Sequence, residues 1–144
     1  MYKKILVALE NSSADGSLLP HITEFAKRLN SELLLVHVAD GWAARNFNQL
    51  KLTESDEMKN DREYLEQSAA NLCLQGVNVS THLALGEPST EILKAAEREH
   101  CDLIAMTSHG HRLLGDLVFG STISEVRHRS SIPILLVKAA KQPL

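Results

Sequence analysis

Five short apolar, β-branched runs punctuate the chain: Ile5–Leu9, Leu33–Val38, Val77–Leu85, Leu103–Thr107 and Ile134–Val137. Between them apolar residues recur at helical spacing. Leu18, Ile22, Phe25, Ala26 and Leu29 make one stripe, with Glu24, Lys27 and Arg28 on the opposite side. A second helix is expected from about Glu54 to Leu74, with Tyr64, Leu65, Ala69 and Leu72 facing inward. Ile92, Leu93 and Ala96 mark a third behind Gly86-Glu87-Pro88-Ser89, where Pro88 suits a first helical turn. The fourth is expected over Ser121–Arg129, with Ser121 able to cap its N-terminus.

Alternation of strands with helices predicts an α/β fold, an open parallel sheet joined by crossovers with helices on both faces. The first two runs are nearly continuous hydrophobics, as strands covered on both sides should be. Val77–Leu85 alternates instead, with Val77, Val79, Thr81, Leu83 and Leu85 set against Asn78, Ser80, His82 and Ala84, and so reads as a half-exposed edge strand. No repeat, linker or low-complexity tract divides the 144 residues, which predicts a single domain over 1–144. Asp40–Thr53, with Trp42 and Phe47, is the longest connection without periodicity and reads as a loop.

Composition narrows the function classes. A formal net charge of −3 argues against a dedicated nucleic-acid binder, which would present a basic face. No run approaches the roughly 18–20 apolar residues of a membrane span. The first apolar run stops at Glu10, too short for a signal-peptide core, so a cytoplasmic protein is expected. Cys73 and Cys101 have no metal or redox spacing and are expected to be partly buried thiols in a reducing compartment.

In open parallel sheets ligands bind beyond the carboxyl ends of the strands, where the strand order reverses. Three such ends carry chemistry here: Leu9-Glu10-Asn11-Ser12-Ser13, His37-Val38-Ala39-Asp40, and the stretch from Met106-Thr107-Ser108-His109-Gly110 to Gly120-Ser121-Thr122. In the last, Gly110 and Gly120 permit close backbone approach. Ser121 opening a helix would offer free N–H groups to an anion, and Ser121 and Thr122 add hydroxyls. The pattern suits a phosphate cradle; it also suits a simple turn before a helix. His109-Gly110-His111 lacks a third ligand at metal spacing, so no zinc site is expected. His37, inside an apolar run, reads as a hydrogen-bonded strand histidine. Neither a Gly-x-Ser-x-Gly elbow nor a Gly-x-x-x-x-Gly-Lys-Ser/Thr loop is present, so fast hydrolysis has no visible machinery.

From Lys3–Leu9 to Pro133–Val137 the chain resembles the universal stress protein family, with Gly86-Glu87-Pro88 and Cys101–Met106 similar to the family's passage into its fourth strand. The nucleotide-binding branch carries Gly, two residues, Gly, nine residues, then Gly-Ser or Gly-Thr. Gly110, Gly120 and Ser121 match; Thr107 stands at the first glycine, where its side chain would either crowd the ribose or give it a hydrogen bond. Glu10 stands where the family commonly has Asp.

The resemblance implies a five-stranded sheet of order 3-2-1-4-5, adenine nucleotide alpha hydrolase-like. By the same resemblance Ala8, Leu9 and Glu10 would border the nucleoside, while Val38 and Met106 line the adenine slot. Gly110, Gly120, Ser121 and Thr122 would hold phosphates, with His109 and Arg112 neutralising charge. The implied ligand is ATP or another adenine nucleotide, any magnesium leaning mainly on phosphate oxygens with Asp40 or Asp116 beside it. The implied assembly is a homodimer through the last strand, Ile134–Val137. Such a protein would be a nucleotide-binding stress-response regulator hydrolysing ATP slowly at most; the alternative is a dimeric partner-binding module that has lost its nucleotide.

Overall fold

The structure is a computed structural model that describes residues 1–39, 56–108 and 116–140, with 116–120 described as backbone. Its elements follow in the order β1 (Lys4–Ala8), α1 (Asp15–Leu29), β2 (Glu32–Ala39), α2 (Asp56–Leu74), β3 (Val79–Leu85), α3 (Pro88–Arg98), β4 (Leu103–Ser108), α4 (Asp116–Arg129) and β5 (Ile134–Lys138). All four strand pairings are parallel, and the sheet order is β3-β2-β1-β4-β5. The order reverses at β1, which lies between β2 and β4. The carboxyl ends of these three strands therefore frame the crevice of the fold.

Successive strand residues point to opposite faces, and the core divides accordingly. Ile5, Val7, Leu33, Leu35, Leu103 and Ala105 pack on one face beneath Leu18, Ile22 and Ala26 of α1 and Leu65 and Leu72 of α2. Leu6, Leu34, Val36, Ile104 and Met106 pack on the other, against Ile92, Ala95 and Ala96 of α3 and Val126 of α4. The stripe of α1 ends before Leu29, which is exposed. Asn30 closes the helix in the left-handed region at φ 56°, the conformation a helix C-cap requires. Tyr64 and Ala69 join the first layer as partly buried residues.

β3 lies at one edge of the sheet, as its pattern predicts, and β5 at the other, but the alternation along β3 is imperfect: Ala84, expected to face outward, is buried. β3 exposes Ser80 and Thr81. On β5, Leu135 and Val137 pack against the core while Leu136 between them is 44% exposed. Two further expectations change. α4 begins at Asp116, so Gly120 and Ser121 lie inside the helix instead of opening it, and Ser121 is exposed. Cys73 is exposed, whereas Cys101 is buried and its thiol is pushed up to about 11 by that burial. Asp40–Thr53 lies outside the described residues. No described helix is long and apolar enough to cross a membrane.

Candidate functional site

The site begins where β1 ends. After Leu9 the chain turns through Asn11, which adopts φ 58°, and enters α1. The turn closes on Asp15: its carboxylate accepts the backbone N–H of Glu10 at 3.0 Å and that of Asn11 at 2.9 Å. A carboxylate in the first turn of a helix also faces the positive end of its dipole. Tyr64 of α2 donates to the same carboxylate at 2.5 Å. Burial, followed by the hydrogen bond to Asp15, pushes the Tyr64 hydroxyl well above its ordinary range, so it remains a donor. Asp15 is 1% exposed, and these three donors compensate its burial.

A second set of contacts ties this turn to β2 and α2. The Leu9 carbonyl lies 2.8 Å from His37 Nδ1. The other ring nitrogen lies 3.4 Å from Asp61 Oδ2, and Asp61 Oδ1 accepts a hydrogen bond from Asn11 Nδ2 at 2.7 Å. The expectation of a hydrogen-bonded strand histidine holds for His37. On the far side, Glu87 caps α3 by accepting from the backbone N–H of Ser89 and Thr90. The buried Ser89 hydroxyl lies 2.5 Å from Glu125 of α4, and Arg129 reaches Ser89 and Thr90. These contacts fix the spacing of α3 and α4.

Between the two networks, at the carboxyl ends of β1, β2 and β4, lies a cavity of about 490 Å³. Val38, Met106, Ile92 and Ile123 give it apolar walls; Glu10, Asn11, Asp61 and Thr122 give it polar ones. Ala8, Leu9, Glu10, Val38, Met106, Thr107 and Thr122 of the expected site all border this space. Ser121 is on the exposed side of α4, and Gly120 is helical backbone. His109, Gly110 and Arg112 lie outside the described residues.

Thr107 borders the cavity from the end of β4. It pairs in register with Val137, which packs on the α1 face, and strand alternation puts its side chain with Leu103 and Ala105 on that face, opposite Met106. Its hydroxyl is buried without a hydrogen-bond partner among the described residues. The branched side chain thus sits behind the strand relative to the apolar wall.

The family profile of the universal stress proteins matches residues 1–138. The chain belongs to the universal stress protein family. Universal stress protein MJ0577 of Methanocaldococcus jannaschii is 32% identical, with 96% of each chain covered. A solved structure of MJ0577 superposes with a TM-score of 0.77 at 31% identity over 99% of each chain. The universal stress protein from Archaeoglobus fulgidus in complex with dAMP has a TM-score of 0.69 at 21% identity, covering 95% of this chain and 98% of that one. A universal stress protein in complex with cAMP has the same TM-score at 15% identity, covering 96% and 98%. At those identities the last two attest the shared fold.

The family motif points to strand ends and the glycine loop, and it leaves out the α2 side of the cavity. Asn11, His37 and Asp61 border the cavity there, with Glu57 and Asn60 beside them. One signal in the chain marks it: Asp61 occupies the buried stripe of α2 together with Met58, Leu65, Ser68 and Leu72. A carboxylate on an inward stripe demands a partner, and Asn11 and His37 are the partners. No group of three or more His, Cys, Asp or Glu among the described residues is arranged to hold a metal ion.

Proposed function

We propose that this universal stress protein binds ATP or a related adenine nucleotide in the cavity at the carboxyl ends of β1, β2 and β4. The cavity itself is the observation that carries this reading. At about 490 Å³ it falls within the range of about 300–1,000 Å³ typical of small-molecule sites. Its apolar walls at Val38, Met106, Ile92 and Ile123 suit a flat base, and Glu10 at the end of β1 suits ribose hydroxyls. Phosphates would then extend toward the Thr122 hydroxyl, with Gly110, His109 and Arg112 as further donors; Gly120 and Ser121, inside α4, would offer no free backbone N–H. Magnesium would be carried by the phosphate oxygens. The dAMP and cAMP complexes of universal stress proteins with this fold support an adenine nucleotide as the class of ligand.

The biochemical role follows from linkage. A ligand that binds only the folded chain at a hundredfold excess over its Kd stabilises it by about 2.7 kcal/mol. Nucleotide supply would thereby set how much folded regulator persists, and we propose that this is its part in a stress response. The assembly proposed is a homodimer through β5, whose Leu136 lies on an open sheet edge.

The test is to denature freshly purified protein, identify released small molecules by mass spectrometry, and titrate ATP calorimetrically. Released adenine nucleotide, or saturable heat near one equivalent per chain, is expected. Neither outcome would leave the second reading, a dimeric partner-binding module without nucleotide, which the exposed Leu136 on β5 favours.

A further inference from the structure

The hydrogen bonding of His37 fixes a proton count. The Leu9 carbonyl can only accept, so Nδ1, at 2.8 Å from it, must carry hydrogen. In a neutral ring Nε2 is then a bare acceptor. It faces Asp61 Oδ2 at 3.4 Å, and an ionised carboxylate is also acceptor-only. Asp61 cannot turn away, because its other oxygen receives Asn11 Nδ2 at 2.7 Å and its side chain is only 7% exposed. Two acceptors facing each other repel; a proton between them turns the contact into a charge-assisted hydrogen bond. The pair therefore belongs with one proton beyond a neutral imidazole and a carboxylate, whichever partner is written as holding it.

We propose that His37 is a positioning residue for the nucleotide site, a proton-dependent clip that holds α2 and the β1–α1 turn around the cavity. His37, Asp61 and Asn11 all line that cavity, and Glu10 follows directly on the carbonyl that His37 grips. With the proton in place, β2 grips Leu9 on one side and α2 on the other. When the proton leaves to solvent, the Asp61 contact becomes repulsive and the α2 wall loosens. The form that binds nucleotide tightly thus holds one more proton than the loosened form, and by linkage affinity rises as pH falls.

Among the described residues, the charged and titratable neighbours are few. Glu10 lies on the β1–α1 turn and Glu57 on α2, both at the cavity; Asp15 and Tyr64 are joined to each other and reach the clip through the backbone amides of Glu10 and Asn11. Thr122 and Met106 across the cavity bring no charge.

This inference rests on the nucleotide reading, and its test separates the two. ATP affinity is measured by calorimetry from about pH 5.5 to 8, the interval in which an imidazole exchanges its proton. The same series is run on Asp61→Asn. In that variant the amide oxygen still accepts from Asn11, while its N–H donates to the bare Nε2 of a neutral ring, so the clip closes without the extra proton. Wild-type affinity should fall several-fold across the interval, by no more than tenfold per pH unit for one proton. Asp61→Asn should lack that slope; ionisation of ATP itself is common to both and cancels. His37→Asn should bind at pH 5.5 no better than the wild type does at pH 8. Equal slopes in wild type and Asp61→Asn would overturn the proposal.

Should ATP fail to bind at any pH, the nucleotide reading falls, and the clip is judged in the ligand-free protein. NMR of the His37 ring nitrogens and the Asp61 carboxyl carbon, followed from pH 8 to about 5.5, should show the pair taking up one proton. A pair that takes up none across that interval would overturn the clip on its own.

Discussion

Tyr64 and Asp15, 49 positions apart in the chain, meet with 2.5 Å between hydroxyl and carboxylate and so join α2 to the first turn of α1. Tyr64→Phe removes that bond while leaving Asp15 its two backbone donors. A hydrogen bond to a charged group is worth about 1.5–3 kcal/mol, and urea unfolding should show a loss of that size. Asp15→Ala strips the Glu10 and Asn11 amides of their acceptor and removes the Tyr64 bond as well. It should destabilise by more than Tyr64→Phe, at least about 3 kcal/mol. Equal losses in the two variants would mean that the turn does not depend on its carboxylate.

Thr107 gives a prediction of opposite sign. Its hydroxyl is buried with no hydrogen-bond partner among the described residues, whereas a methyl in the same place needs none. Thr107→Val should therefore stabilise the fold by about 1 kcal/mol, read as a rise in Tm. Since the side chain lies on the face opposite Met106, ATP affinity should be unchanged. A Tm that falls would reveal a hydrogen bond made by that hydroxyl.

At acid pH the cap of α3 should yield in a defined interval. Hydrogen bonds from Thr90, then from Ser89, hold the Glu87 carboxyl down to about 2 from its ordinary 4.5. A depressed folded value means the stabilisation is complete above pH 4.5 and is lost as pH falls toward 2. The side chain is about half exposed, so solvent screening keeps the contribution modest. Glu87→Gln should be less stable than wild type at pH 7 and equal to it near pH 2. A constant difference across the interval would assign the cap's effect to packing.

On β5 the two leucines should behave differently. Leu135 packs on the core and Leu136 faces outward. Leu136→Lys should convert the proposed dimer to monomer by light scattering with the thermal transition of the monomer intact. Leu135→Lys should lower Tm whatever the assembly. An unchanged mass for Leu136→Lys would move the interface off β5.

Much of the fold could be read from the pattern of the chain because burial on both faces writes itself into a strand as continuous hydrophobics. Leu33–Val38 is such a run, and β2 sits inside the sheet with that span buried or half-buried. The α2 side of the cavity was hidden for the complementary reason. Asn11, His37 and Asp61 come from three separate elements, and their hydrogen bonds depend on the register of a helix against strand ends, which no local spacing encodes. The start of α4 was misplaced because glycine followed by serine is a common helix-opening signal, yet here the helix runs through Gly120 and Ser121 from Asp116. Thr107 shows a subtler limit. The glycine motif marks where backbone must come close to a ligand; which way a side chain there would point depends on strand parity, and in this chain it points to the α1 face.

The unequal thiols supply a clock for the opening of the fold. Cys73 rides on the outer surface of α2, while Cys101 is sealed where α3 hands over to β4, with its thiolate suppressed. An alkylating reagent should consume one equivalent at once and the second only when that junction breathes, because the reactive species is the thiolate and it needs access. The delay between the two equivalents times the local unfolding of α3 against the sheet. Bound nucleotide braced against Pro88 and Ile92 should lengthen that delay, so two ordinary cysteines, left as nature placed them, would report occupancy of the crevice without any label built into it.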